Sequence, residues 1–140
     1  MGINNIPAKV CTYSCVYCQL GRTLRIERQR TPFYEPRELF AEVKAKVEKA
    51  RHIGLRIDYL TFVPDGEPTL DLNLGRAIEL LRPLGIKIAV ITNGSLISRK
   101  DVRKELAQVD WVSLKVDCIQ KEVWRRINRP QPALELPAIL

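Results

Sequence analysis

Three of the chain's four cysteines fall within eight residues, as Cys11-Thr-Tyr-Ser-Cys15-Val-Tyr-Cys18. Thiolates are soft ligands for zinc and for iron–sulfur clusters. Spacings of four and three residues let a single loop wrap a single metal centre. A structural zinc site normally takes four ligands, often as two separated pairs. Here the fourth cysteine, Cys118, is remote in sequence, and the sole histidine is His52. Three thiolates on a four-iron cube leave one iron open to a substrate, as an open position does on a catalytic metal. S-adenosylmethionine, with its amino and carboxylate groups, could chelate that iron. The alternatives are a zinc site, a cluster that only transfers electrons, or three ordinary cysteines.

The elements around this loop follow from hydrophobic periodicity. Residues 1–34 read as mostly irregular. Leu39, Phe40, Val43, Val47 and Ala50 recur at helical spacing, so 36–52 is expected to be a helix, with Pro36 in its first turn and Gly54 after its end. The run 57–63 reads as a buried strand, ended by Pro64-Asp65-Gly66-Glu67-Pro68. A second helix is expected over 72–82, with Leu74, Ile78 and Leu81 on one face, and a second strand over 86–92. Ser98 with Asp101 resembles a capping box opening a helix to about 106. A third strand is expected over 110–116 and a last helix over 120–127, before Pro130.

Strands alternating with helices imply βα units and a parallel sheet. Chemistry in such sheets collects at the carboxyl ends of the strands. The distinctive polar groups, Asp65-Gly66-Glu67, Thr92-Asn93-Gly94, and Lys115 with Asp117, all fall at such ends.

Composition bounds the class. With 46% hydrophobic and 28% charged residues, the 140-residue chain suits one soluble domain. No apolar run approaches the roughly 18 residues of a membrane span, and no signal-peptide pattern opens the sequence. A cytoplasmic location with reduced thiols is the expectation. The net charge of +7 fits a phosphate-rich partner such as tRNA, or merely solvated basic faces.

These residues resemble the radical S-adenosylmethionine (radical SAM) superfamily. Cys11, Cys15 and Cys18 match its CxxxCxxC motif, and Tyr17 matches the aromatic position before its last cysteine. Phe62-Val63-Pro64-Asp65-Gly66-Glu67-Pro68-Thr69, Ile91-Thr92-Asn93-Gly94-Ser95, Ser113-Leu114-Lys115-Val116-Asp117 and Trp124-Arg125-Arg126-Ile127-Asn128-Arg129-Pro130 are similar to prokaryotic iron–sulfur oxidoreductases related to wyosine tRNA-modifying enzymes. The resemblance implies an α/β fold, a parallel-sheet partial (β/α) barrel. It implies a [4Fe–4S] cluster on the three cysteines and S-adenosylmethionine as cofactor. The backbone of Tyr17 would lie against the adenine. Gly66, Glu67, Pro68 and Thr69 would hold the methionine part. Ser113, Lys115 and Asp117 would contact ribose and carboxylate. Read from the residues alone, Thr92 and Asn93 either line the same pocket or form a turn with Gly94.

The activity implied is reductive cleavage of S-adenosylmethionine, starting hydrogen abstraction on an unidentified substrate, tRNA by analogy. A flavodoxin or ferredoxin would supply the electron. Against the family pattern, the first strand is largely missing before Ile3, and the sequence stops at Leu140 before a fifth and sixth strand. The expectation is therefore a core domain over residues 1–140 that is incomplete at both ends: a fragment, an inactive remnant, or half of a split protein completed by a second chain. Its sheet edge would be unpaired, which is an aggregation hazard.

The remaining residues have bland readings beside functional ones. Gly66 lets backbone approach a ligand closely. Lys115, among apolar neighbours, reads as a buried lysine paired with Asp117 or touching cofactor. Arg22, Arg25, Arg28 and Arg30 form a basic run that meets phosphates or solvent. Trp111 and Trp124 read as core anchors, Cys118 as a small packed residue, and His52 as solvated or capping.

Overall fold

The computed structural model describes all 140 residues. Six strands and four α-helices run in the order β1 (Gly2–Ile3), β2 (Val10–Cys11), β3 (Arg25–Ile26), α1 (Pro36–His52), β4 (Tyr59–Phe62), α2 (Leu74–Leu81), β5 (Lys87–Thr92), α3 (Lys100–Leu106), β6 (Trp111–Leu114) and α4 (Lys121–Asn128). Strands β1-β4-β5-β6 form a four-stranded sheet in that order, and every pair in it is parallel. Each strand of this sheet is followed by a helix, the βα alternation expected of part of a (β/α) barrel. The sheet does not close, and β1 and β6 are its edges.

The first strand is shorter than a full barrel strand but present, which corrects the expectation that it is largely missing. Gly2 pairs with Thr61 and Ile3 with Phe62. The Met1 amino group donates to the Tyr59 carbonyl at 2.6 Å, extending the contact to residue 1. Strands β4, β5 and β6 are also shorter than read, each losing one to three residues at its ends.

The core lies between the sheet and its helices. Leu60 and Phe62 of β4 alternate inward, and Ile88 and Val90 of β5 sit opposite them in register. Against these pack Val43 and Val47 of α1, Leu74, Ile78 and Leu81 of α2, and Val102 and Leu106 of α3. Each fully buried side chain of this size contributes about 1.5–3 kcal/mol. Helix α2 is shorter than expected; its tail continues as a 3-10 turn over Arg82–Leu84, closed by Gly85 at φ 69°. Helix α3 starts at Lys100 with Arg99 as its N-cap, so Ser98 and Asp101 make no capping box. Asp101 instead accepts from Arg99 and Arg30. No helix is long and apolar enough to cross a membrane.

Arg30 departs most from the solvated basic run. It is 5% exposed. Its guanidinium donates to the carbonyls of Thr69 at 2.8 Å and Asp71 at 2.6 Å, and to the carboxylates of Asp101 and Glu105. Backbone bonds from Thr31 to Leu70 and from Leu72 to Thr31 hold the two segments side by side. Arg30 thus braces the turn after β4 from behind and ties it to α3. Arg25, by contrast, stays on the surface, paired with Glu27. Trp124 is buried, as expected, but Trp111 is 50% exposed on edge strand β6 and is no core anchor.

Arg30→Ala removes four interactions at once and strands Glu105 and two carbonyls. Breaking a buried pair costs about 3–5 kcal/mol. Asp101 is 43% exposed, so solvent screening puts the expected loss near the low end, about 3 kcal/mol. Urea unfolding measures it; a midpoint equal to that of the parent chain would contradict the bracing role.

Candidate active site

The cysteine loop reaches the carboxyl rim of the sheet through one close contact. The Val10 carbonyl accepts from the Glu67 amide at 3.2 Å, and Lys9 donates to the Asp65 carbonyl at 2.7 Å. A Cβ on Gly66 would stand 1.9 Å from the Val10 oxygen and 2.8 Å from Ile6 Cδ1. Gly66 is therefore required, but by protein backbone. The approach it permits within this chain is that of the Val10 carbonyl. On its other side the loop runs beside the end of α4: Ser14 donates to the Asn128 carbonyl at 3.0 Å, Val16 to Ile127 at 2.9 Å, and Gln131 to Thr12 at 2.8 Å. Tyr13 anchors this seam. Its ring meets Trp124 edge-to-face at 5.9 Å, and Trp124 Nε1 donates to its hydroxyl at 3.3 Å.

Two polar groups flank the cysteines. The first is centred on Glu67, which is 1% exposed. Its Oε1 accepts from the Thr69 amide at 3.1 Å and from the hydroxyls of Thr69 and Thr92; its Oε2 accepts from the Asn93 amide at 2.8 Å. Burial pushes its carboxyl above the usual range, against these donors, which favour the charged form. Pro68 opens the 3-10 turn Pro68–Leu70 that presents Thr69. The Asn93 side chain donates to Thr12 Oγ1 at 2.8 Å and lies 3.6 Å from Cys11 Sγ.

The second group gathers Tyr17, Lys115, Asp117 and Asn128. The Tyr17 hydroxyl donates to Asp117, and Asn128 donates to Asp117, to Tyr17 at 3.1 Å and to Cys15 Sγ at 3.4 Å. The Lys115 ammonium sits 4.0 Å from the Tyr17 ring centroid and 3.8 Å from Asp117. Burial, then the bond to Asp117, raises the Tyr17 phenol above its ordinary value. Lys115 follows β6 rather than lying in it, and its side chain is 48% exposed. The buried-lysine reading is corrected, while the pairing with Asp117 holds. Ser113 lies on β6 opposite Ile91 and makes no side-chain hydrogen bond in either group. Cys118 is partly buried against the core, as expected of a packed residue. His52 sits exposed in the last turn of α1.

The donor set suits a soft metal cluster, but the thiols are not preassembled. No three cysteine, histidine or acidic side chains in the chain stand close enough together to hold a metal ion. Without a cation, soft donors have no mutual attraction, and ligand sites commonly assemble on binding. Cys15 and Cys18 are joined through backbone, the Cys18 amide donating to the Cys15 carbonyl at 3.2 Å. Cys11 and Cys15 each meet a side-chain amide, whereas Cys18 Sγ receives no hydrogen bond. Burial, then the Glu67 carboxylate, pushes the Cys11 thiol up to about 12. Cys11 thus holds its proton at neutral pH, and a metal that takes it must release that proton. Arg30, Asn128 and the Val10 carbonyl escaped the sequence reading. Asn128 figured there only within the family-like segment Trp124–Pro130, and Arg30 only as one of a basic run.

Residues 5–136 match the sequence profile of the radical SAM superfamily, and the chain belongs to that superfamily. It is 51% identical, over its whole length, to a UPF0026 protein of Methanocaldococcus jannaschii, and spans 43% of that protein. It is 28% identical to a probable GTP 3',8-cyclase of Thermococcus kodakarensis over 84% of this chain and 35% of the other. Among solved structures, the fold is similar to TYW1 with a lysine-pyruvate adduct bound, with a TM-score of 0.68 and 18% identity over 96% of this chain and 47% of that one. It is also similar to Streptococcus suis SuiB bound to S-adenosylmethionine, with a TM-score of 0.61 and 19% identity over 98% of this chain and 30% of that one. The chain thus spans about half the length, or less, of the relatives it matches.

Two measurements check this geometry. Gly66→Ala drives a Cβ into backbone, and the expected loss is about 3 kcal/mol, the top of the usual range for overpacking. An unchanged thermal midpoint would contradict the contact. In the metal-free chain at pH 8, Cys11 is expected to alkylate roughly a thousandfold more slowly than in the unfolded chain, because its thiolate fraction falls in step with the rise from 9.0 to about 12. The raised thiol favours the folded state fully below pH 9.0, and that contribution is lost as pH rises toward about 12. Site-resolved mass spectrometry reads the alkylation; equal rates in folded and unfolded chains would refute the burial of Cys11.

Proposed function

We propose that the chain is the cluster-bearing part of a radical SAM enzyme, with Cys11, Cys15 and Cys18 as ligands of a [4Fe–4S] cluster and the sheet rim as the S-adenosylmethionine site. One observation carries this reading. The loop with the three thiols is fastened by the Val10–Glu67 bond to the turn Gly66–Thr69 at the carboxyl rim of a parallel sheet. When bound, such a cluster supplies an electron that cleaves S-adenosylmethionine to a 5′-deoxyadenosyl radical for hydrogen abstraction.

The chain's own residues then bind and orient. The turn from Gly66 to Thr69 offers its backbone to the methionine part. The Glu67 carboxylate is occupied by Thr69, Thr92 and Asn93, so its role in this reading is to hold the turn and Asn93 in place. The Tyr17 backbone stands for the adenine contact, while its ring carries Lys115. Ser113, Lys115 and Asp117 serve the ribose and carboxylate. Lys115 keeps a positive charge at the rim, and Asp117 orients it.

The substrate we infer is anionic and phosphate-bearing, tRNA or a smaller nucleotide. The net charge of +7 supports this. So does an open cavity of about 650 Å³ lined by Ser14, Arg22, Arg125 and Arg129, against the outside of the cysteine loop. The relative named for GTP cyclisation acts on a nucleotide by name. The electron donor is a low-potential protein such as flavodoxin or ferredoxin, in the cytoplasm, and a second polypeptide segment completes the sheet beyond β6.

Anaerobic reconstitution tests the reading. About four irons and four sulfides per chain are expected, with release of 5′-deoxyadenosine on adding S-adenosylmethionine and dithionite. Substituting any of Cys11, Cys15 or Cys18 by alanine is expected to abolish both, and Cys118→Ala neither. Zinc in place of iron, or a cluster indifferent to S-adenosylmethionine, would leave a non-catalytic metal-binding module instead.

A further inference from the structure

We propose that the side-chain amides of Asn128 and Asn93 are hydrogen-bond donors to the sulfurs of Cys15 and Cys11, and that they raise the reduction potential of the cluster those sulfurs hold. The inference rests on the cluster reading above and adds a tuning role for two residues outside the cysteine motif. Asn128 Nδ2 lies 3.4 Å from Cys15 Sγ, and Asn93 Nδ2 lies 3.6 Å from Cys11 Sγ. Asn93 follows β5 directly and Asn128 is the last residue of α4, so the loop is held between two amides from separate βα units.

The orientation of Asn128 has a physical cause. The residue is 1% exposed, and its Oδ1 is buried without a hydrogen-bond partner. An orphaned buried acceptor costs about 1–3 kcal/mol. Exchanging oxygen and nitrogen would relieve nothing, because it would set a carbonyl against Cys15 sulfur and the Asp117 carboxylate. The two N–H groups instead face Asp117, Tyr17 and the sulfur, three acceptors for two hydrogens, so one hydrogen is shared between two of them. Asn93 is fixed in the same sense. Its Oδ1 accepts from the Ser95 amide at 2.9 Å, which leaves Nδ2 facing Thr12 and Cys11.

The consequence is electrostatic. Reduction adds negative charge that spreads onto the ligand sulfurs. An N–H donor stabilises that charge, so it favours the reduced state. Hydrogen bonds to the sulfurs are among the protein's levers on cluster potential. Cys18, which lacks such a donor, is left as the least stabilised of the three sulfurs.

Asn128→Leu keeps the shape and removes the donor. Reconstituted anaerobically, it is expected to hold the same iron as the parent and show a roughly tenfold smaller reduced fraction at a given potential, about 59 mV lower for a one-electron couple, in a dithionite titration followed by electron paramagnetic resonance. Asn93→Ala is expected to move in the same direction by less, and it carries the test if the leucine variant does not fold. In the metal-free, nitrogen-15-labelled chain, the Asn128 side-chain amide resonances are expected to shift with Cys15→Ser and stay put with Cys18→Ser. Unmoved potentials at full iron content, or Asn128 resonances indifferent to Cys15→Ser, would overturn the inference. Failure of the underlying cluster reading has a different signature, a parent chain that takes up no iron.

Discussion

The Val10 carbonyl stands where any side chain at position 66 would have to go, and the arrangement of the site depends on that exclusion. Gly66 allows the strand leading into Cys11 to lie against the end of β4, and the Glu67 amide closes the contact. From there the order propagates through polar groups. Glu67 collects Thr69, Thr92 and Asn93, and Asn93 reaches back to Thr12 and Cys11. The circuit joins the ends of two neighbouring strands to the first cysteine. Arg30 braces it from outside by capping the carbonyls of Thr69 and Asp71. A buried carboxylate is costly unless its oxygens are satisfied, and here each oxygen has a donor.

The other end of the loop is held by different physics. Tyr13 and Trp124 pack α4 against it, and backbone bonds join residues 14–16 to 127–129. Arg129 ends the helix in the left-handed region at φ 45°, a conformation that non-glycine residues adopt at a cost. The turn it makes places Asn128 under Cys15 and Tyr17. Local strain and an orphaned carbonyl oxygen both fall within this small region. Such departures from good local packing concentrate at functional sites.

How far the sequence disclosed this differs by element. Helix α1 was legible to the residue, because its apolar positions recur at helical spacing and Pro36 marks its start. The three strands β4, β5 and β6 and the helices after them were legible because apolar runs alternated with amphipathic ones, whereas the two-residue strands β1, β2 and β3 were not. The cysteine motif and its approach to the Gly66–Thr69 turn were legible through the family resemblance. Arg30 was not, since it sits in a run of four arginines and its burial is set by carbonyls about forty residues away. Trp111 misled because aromatic type favours burial, yet β6 is an edge strand. Gly66 was read for the right property, close approach, but the approaching atom belongs to the chain itself. The amides on the cysteine sulfurs were invisible, because Asn93 next to glycine reads as a turn and Asn128 as a helix end.

The central claim is that the trio of thiols closes around one cluster at the sheet rim when metal is present. An anaerobic crystal structure of the reconstituted chain with S-adenosylmethionine tests it most directly. The account predicts Cys11, Cys15 and Cys18 each on one iron, and the methionine amino group on the fourth, within hydrogen-bond reach of the backbone between Gly66 and Thr69. A metal bound by fewer than three of these sulfurs, or a cofactor seated away from that turn, would contradict it.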